Sequence, residues 1–339
     1  MFKNKRVLVT GGTGSFGHQI VKRLLEQSPS EIRILSRDEK KQDDMKYLYK
    51  DRKDMRFVIG DVRDIQSVRK AIRNVEVVFH AAALKQVPSS EYNPLEAVKT
   101  NILGAQNVVD AALEENVEKV IAISTDKAVE PVNVMGMSKA IQERIITSAN
   151  QFRDGKRTVF ACVRYGNVLG SRGSVIPLFR KLIELGKPLT LTHEDMTRFI
   201  ITLNQAIDLV FIATNDAIGG EIFVLKMPAH TVKELAETMI EEIGAKNREI
   251  KITGIRPGEK IHETLVSPVE SMRTVEKGSY YIILPQISVK EVDEKYPEYL
   301  RKDIFRFSSD NAERINKKQI KEILKKEGWL DKMAPKPYE

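Results

Sequence analysis

Cysteine is almost missing from this sequence: Cys162 is the only one in 339 residues. One thiol forms no internal disulfide and no cysteine-based zinc site, and it fits a reducing, cytoplasmic setting. Long apolar runs are missing too. No stretch approaches the ~18 residues of a membrane-spanning helix, so no membrane partner is expected. The opening "MFKNKRVLVTGG" enters a strand and a glycine loop at once, which is not the pattern of a secretory signal. His80, His193, His230 and His262 lack metal-ligand spacing and read as structural, so no metal is expected. Internal repeats and low-complexity segments are also absent.

Charge of one sign is not concentrated anywhere for long. Lys and Arg total 55 against 47 Asp and Glu, a formal net charge of +8. The charges are interspersed, and the longest basic cluster is "KKQIKEILKKEG" near the end. That pattern argues against a nucleic-acid surface and suits a phosphate-bearing substrate. Hydrophobic residues make up 42%, as in an ordinary globular protein. The length allows roughly two domains of ~150 residues each.

What is present is an alternation. "RVLVT" (6 to 10), "IRILS" (32 to 36), "RFVIGD" (56 to 61), "EVVFHAA" (76 to 82) and "KVIAIST" (119 to 125) read as buried strands. "FGHQIVKRLLEQ", "IQSVRKAIRN" and "LEAVKTNILGAQNVVDAALEEN" carry helical spacing between them. Repeated βαβ units predict an α/β fold with a doubly wound parallel Rossmann sheet. "TVFACVRYGNVLG" (158 to 170) reads as a sixth strand leaving that domain. Beyond it the pattern becomes irregular, with helices in "VIPLFRKLIELG" and "VKELAETMIEEIG" and a strand in "GEIFVLK". The expected division is a nucleotide-binding domain over 1–168 and a smaller mixed α/β substrate-binding lobe with a C-terminal tail over 169–339, with an interleaved boundary.

"VLVTGGTGSFG" sets Gly12, Gly14 and Gly17 at G-x-G-x-x-G spacing between strand and helix; Gly11, Gly14 and Gly17 give the related G-x-x-G-x-x-G. Such glycines permit a tight turn and let backbone N–H groups approach a pyrophosphate at a helix N-terminus. Thr13, Ser15 and Phe16 complete that candidate loop. At the end of the second strand, an acidic residue would select NAD by its ribose hydroxyls, whereas an arginine accommodates the 2′-phosphate of NADP. "ILSRDEKK" places Ser36 and Arg37 there, with Lys41 close behind, which favours NADP; Asp38 and Glu39 follow and leave NAD possible. Asp61 and Val62 in "GDVRD" are placed for the adenine. Ala81, Ala82 and Ala83 in "HAAALK" would lie along the cofactor, with Lys85 reaching the substrate.

Taken together, "TGGTGSFG", "SRDEKKQ", "GDVRD", "HAAALKQVP", "STDKA", "RYGNV", "RGSVIP", "MTRF" and "RPGEK" resemble the extended short-chain dehydrogenase/reductase family. Within it they look like the soluble UDP-N-acetylglucosamine 4,6-dehydratases of capsule, O-antigen and surface-sugar pathways. The resemblance covers most of the chain. It implies oxidation of the sugar C4 hydroxyl with hydride passing to NADP, elimination of water across C5 and C6, and return of the hydride to C6. It also implies a homo-oligomer, a dimer or a hexamer.

The resemblance assigns roles. Thr125 would bond the C4 oxygen, Asp126 would protonate the departing C6 hydroxyl, and Lys127 would act at C5 as base. An acid that is protonated and a lysine that is neutral both require shifted pKa values. The family's Tyr-x-x-x-Lys is altered in "MGMSK": Lys139 is present to bond the nicotinamide ribose, but Met135 holds the tyrosine position. In the remainder, Tyr165 and Asn167 of "RYGNV", Ser174 and Val175 of "RGSVIP", and Thr197 and Arg198 of "MTRF" would bind UDP. Arg256 and Glu259 of "RPGEK" resemble a diphosphate clamp and a ribose acceptor. Two rivals stay open. A UDP-sugar 4-epimerase shares fold and cofactor but relies on the missing tyrosine. A non-catalytic NADP-binding regulator would not need the Asp126–Lys127 pair.

Overall fold

The computed structural model describes residues 1–50, 52–153, 155–171, 173–244, 248–296 and 303–331. Arg172 of "RGSVIP" and the last eight residues of the expected C-terminal tail lie outside the described residues.

Six strands follow the predicted alternation: β1 (Arg6–Thr10), β2 (Glu31–Ser36), β3 (Met55–Ile59), β4 (Val77–His80), β5 (Lys119–Ile123) and β6 (Val159–Arg164). They pair in parallel in the order β6-β5-β4-β1-β2-β3. The chain thus reverses direction across the sheet between β1 and β4, and a crevice opens there at the carboxyl ends of both strands. Continuous apolar runs suit this sheet because helices cover both faces. Val7, Leu8, Val9, Val78, Phe79, Val120 and Ile121 are all fully buried.

The sixth strand is shorter than "TVFACVRYGNVLG" suggested. It stops at Arg164, and Asn167–Val168 pairs instead with Thr197–Ile201 in a separate small sheet. The main sheet is completed from later in the chain. Ile222–Leu225 adds parallel to β6, and Tyr280–Ile283 and Thr274–Lys277 follow antiparallel. A second core gathers Phe179, Leu189, Leu235, Met239, Ile320, Leu324 and Trp329. It draws on the helices Val175–Glu184, Val232–Glu242 and Lys317–Lys326.

Buried Arg164, at the end of β6, ties the parts together. Its guanidinium donates to Glu143 Oε2 at 2.6 Å, to Glu270 Oε1 at 2.9 Å and to the Leu265 carbonyl at 2.8 Å. Two carboxylates and a carbonyl answer one guanidinium, so its charge is compensated where water is excluded. No helix among the described residues is long and apolar enough to cross a membrane.

Candidate active site

The glycine loop between β1 and α1 (Ser15–Leu25) forms one wall of the crevice. Gly11 has φ +67°, and a Cβ there would meet the Ala82 backbone at 2.9 Å. Gly17 is constrained further, since its Cβ would lie 2.3 Å from Gly12 backbone atoms. Gly12 itself faces inward: its Cβ would meet Ile34 Cγ2 at 2.8 Å, so it serves strand–helix packing. Gly14 precedes α1 as N-cap with no side-chain cap, leaving the helix N-terminus open to an anion. Thr13 Oγ1 and Ser36 Oγ, 2.7 Å apart, join the loop to β2.

Buried His80 lies behind this wall. Its Nδ1 is 2.8 Å from Thr10 Oγ1, which also accepts from the Ala81 and Ala82 N–H groups. Burial, and then the charge of Lys139, lowers its pKa to about 3, so the ring is neutral. This histidine is structural: it sets the run Ala81–Ala83 along the crevice.

The turn Thr125–Asp126–Lys127 follows β5. Thr125 caps the short helix Asp126–Ala128 and donates from Oγ1 to Asp126 Oδ1 at 2.8 Å. Lys127 Nζ donates to that same oxygen at 3.0 Å. The other oxygen, Asp126 Oδ2, is buried and makes no hydrogen bond within the protein. Burial raises the proton affinity of Asp126; Lys127 opposes this and the nearby Glu263 carboxylate adds to it. The resemblance asks of Asp126 an acid that can hold a proton, and the direction of this shift suits that. Lys127 departs from the expected neutral base. Burial works against its charge, but Asp126 and Glu263, each about 3 Å away, outweigh that and keep it an ammonium.

Met135 and Lys139 stand on the helix Val134–Ser148, whose first turn is capped by Asn133 Oδ1 accepting from Gly136 N–H at 2.7 Å. Met135 is buried against the cavity. Lys139 Nζ donates to the Ile123 carbonyl at 2.6 Å and to Gln142 Oε1 at 2.7 Å. Burial lowers its pKa to about 8. Two further residues, not singled out from the sequence, shape the site. Gly136 lets the helix touch the Thr125–Lys127 turn, since its Cβ would lie 2.2 Å from the Lys127 carbonyl oxygen. Asn101 sits in a π-helical stretch, Val98–Leu103. It brackets Leu84 with both amide atoms and also donates to Ser138 Oγ, fixing the segment that carries Lys85.

These parts line one cavity of about 630 Å³. It brings together Gly11, Thr13, Gly14, Ser15, Phe16 and Gly17 with Ser36, Arg37, Lys41, Asp61 and Val62. It continues past Ala81, Ala82, Ala83 and Lys85 to Thr125, Asp126, Lys127, Met135 and Lys139, and ends at Tyr165, Asn167 and Ser174. Five buried polar atoms on its lining make no hydrogen bond within the protein: Thr100 Oγ1, Ser124 Oγ, Asp126 Oδ2, Asn167 Oδ1 and Ser174 Oγ. Buried polar atoms are seldom left unpaired, so the cavity is built for a polar ligand. The uncapped helix end and the glycine cradle fit a dinucleotide in the same space.

Five expected UDP contacts lie outside that lining. Thr197 is buried, its hydroxyl 2.8 Å from His262 Nδ1 and 2.7 Å from Ser309 Oγ. Arg198 spends its guanidinium on the carbonyls of Thr197, Lys260 and Ile261. Val175 begins its helix. Arg256 and Glu259 close a turn on themselves, Arg256 N–H donating to Glu259 Oε2 at 3.2 Å. Among the described residues, no group of three or more His, Cys, Asp or Glu could hold a metal ion.

Comparison with known proteins agrees with this architecture. A family described as polysaccharide biosynthesis protein matches residues 7–285. A protein of Methanocaldococcus jannaschii described as an uncharacterized membrane protein is 47% identical over 97% of this chain and 98% of its own length. A UDP-glucose 4-epimerase of Rickettsia typhi is 45% identical over 96% of both chains. The X-ray structure of Pen from Bacillus thuringiensis superposes with a TM-score of 0.90 at 39% identity, over 96% of this chain and 98% of that one. The chain belongs to the polysaccharide biosynthesis protein family, as an extended short-chain dehydrogenase/reductase-type sugar-nucleotide enzyme.

Proposed function

We propose that the chain is a UDP-N-acetylglucosamine 4,6-dehydratase that works with bound NADP in the synthesis of a surface polysaccharide or glycan. The observation that carries this reading is the buried Asp126, partnered by Lys127 through one oxygen only, at the floor of a dinucleotide-sized cleft. An epimerase moves a hydride and one hydroxyl proton; a dehydratase must also expel water, and the buried Asp126 carboxyl would supply the added acid.

Arg37, with Lys41, would take the 2′-phosphate, the loop 11–17 the pyrophosphate, and Lys139 the nicotinamide ribose. When bound, the nicotinamide supplies a reversible hydride acceptor. Thr125 orients the C4 oxygen. Asp126, ionised at the start of a turnover, takes the C4 hydroxyl proton and then gives it to the leaving C6 hydroxyl. Lys127, in the neutral form that Asp126 and Glu263 disfavour, would take the C5 proton and return it to C5 as the ammonium. Lys85, Asn167 and Ser174 would hold the sugar nucleotide.

The name of the Rickettsia typhi relative favours a second reading, a UDP-glucose 4-epimerase. The two part on chemistry. In heavy water a dehydratase turns UDP-N-acetylglucosamine into a 4-keto-6-deoxy product carrying deuterium at C5, visible by NMR. An epimerase places no deuterium on carbon. A C4 epimer without carbon-bound deuterium, as the only product, would overturn the dehydratase reading.

A further inference from the structure

The catalytic turn is gripped from behind by a side chain from the second half of the chain. Glu263 immediately precedes the strand Thr264–Val266. Its N–H donates to Ser309 Oγ at 2.9 Å, and its carbonyl accepts from the Ser309 N–H at 2.8 Å. The backbone is thereby pinned, and the buried carboxylate reaches forward to place Oε1 3.1 Å from Lys127 Nζ. Arg198 Nε stands 3.9 Å from that oxygen, and its guanidinium is held by three backbone carbonyls. Lys260 donates to the Val129 carbonyl at 2.6 Å nearby. Lys127 therefore faces two carboxylates, Asp126 and Glu263, and two cations, Arg198 and Lys260.

We propose that Glu263 is a positioning residue of this site, holding the Lys127 ammonium between itself and Asp126 so that Asp126 keeps one oxygen for the proton of the sugar. The role rests on the dehydratase reading. The argument is one of charge sharing. With Glu263 replaced by a neutral group, the ammonium has a single carboxylate to answer it and turns fully onto Asp126. Asp126 is then held ionised and fails as the acid. With Glu263 present the ammonium is shared, and burial together with the Glu263 charge raises the proton affinity of Asp126 against the pull of Lys127. Glu263 itself stays ionised, because Lys127 and Arg198 more than offset its burial.

The test begins without substrate. An amine-acylating reagent is applied across a pH series, and modification of the Lys127 peptide is read by mass spectrometry. An opposite charge at this range moves a pKa by about 1–3 units, so Glu263→Gln should lower the pH of half-reaction by about one unit or more. Glu263→Asp, which keeps the charge at longer reach, should move it less in the same direction, and it carries the test alone if Glu263→Gln does not fold. With substrate, the pH profile of deuterium entry at C5 should move down with the reactivity of Lys127, while NADP binding stays within about twofold. Unchanged Lys127 reactivity in both variants would overturn the proposal, whatever the reaction proves to be. A shifted Lys127 in an enzyme that only epimerises its substrate would instead show that the dehydratase reading had failed, and the acid role of Asp126 with it.

Discussion

Arg37 Nη1 stands 3.6 Å from Asp61 Oδ2, and Arg63 holds the same oxygen at 2.7 Å. Asp61 is therefore answered without Arg37. Burial pushes its pKa up, but the bonds from Arg63 and the nearby charge of Arg37 bring it below the usual carboxylate range. Arg37 is the looser partner, 53% exposed in its side chain at the mouth of the cavity. A 2′-phosphate arriving there would gain a guanidinium at little cost to Asp61.

Arg37→Asp should thus weaken NADP binding much more than NAD binding. A hydrogen bond to a charged group contributes ~1.5–3 kcal/mol, so the NADP dissociation constant should rise by about tenfold or more. Titration of both cofactors into the variant measures this directly. Equal loss for both would show that Arg37 does not read the phosphate.

Gly136→Ala gives the second expectation. In a helix interior this change normally stabilises by ~1 kcal/mol. Here the added methyl would sit 2.2 Å from the Lys127 carbonyl oxygen and push the catalytic turn away from the helix. A displacement on the order of 1 Å at a catalytic group can cost ~10²-fold in turnover. The variant should lose about that much activity while binding NADP normally. Full activity would mean that the turn accommodates the methyl elsewhere.

Acid stability should depend on the cluster around Arg164. Burial alone would raise the Glu270 pKa, but the Arg164 charge and hydrogen bonds outweigh it and lower the value from 4.5 to about 2. A depressed carboxylate stabilises the fold fully above its unfolded pKa of ~4.3 and loses that contribution as pH falls towards its folded value. Glu270→Gln should cost about 3 kcal/mol at pH 7, since it breaks a buried pair. It should also flatten the loss of stability between about pH 5 and pH 2. Urea midpoints across that range check both; a slope as steep as in the unaltered protein would place the acid sensitivity elsewhere.

The sheet could be read from the sequence because parallel strands buried on both faces are written as unbroken apolar runs. Val77–His80 and Lys119–Ile123 lie inside the predicted "EVVFHAA" and "KVIAIST". The loop 11–17 was legible for a related reason: its glycines are imposed by close backbone approach. What the sequence hid depends on meetings across the chain. Glu263 lies 136 positions after Lys127, and "IHETLV" carries no spacing that marks it as a partner of that lysine. Gly136 looked like part of a motif variation, yet its place is fixed by the Lys127 carbonyl. Arg198 was matched to the nucleotide by its motif, whereas in the fold its Nη1 and Nη2 donate to three backbone carbonyls.

The altered "MGMSK" motif gives the last expectation. A thioether cannot act as a general base near neutral pH, so Met135 shapes the cavity and moves no proton. Lys139 Nζ is engaged behind Met135, donating to the Ile123 carbonyl and to Gln142 Oε1. Asp126 has what the step needs: a raised proton affinity, and an oxygen, Oδ2, that is buried on the cleft and bonded to nothing in the protein. On the proposed dehydratase reading, a proton taken there from the C4 hydroxyl would be the one later needed to expel the C6 hydroxyl, so one carboxyl would serve both steps in order. General acid–base catalysis contributes ~10²–10⁴-fold, so Asp126→Asn should lose at least about two orders in turnover while still binding NADP and UDP. Met135→Leu, close in volume, should lose far less. Turnover with UDP-N-acetylglucosamine, beside cofactor titrations on the same preparations, separates the two variants. Equal inactivity in both, with binding and folding intact, would mean that the proton leaves by a route that runs past Met135 and not through Asp126.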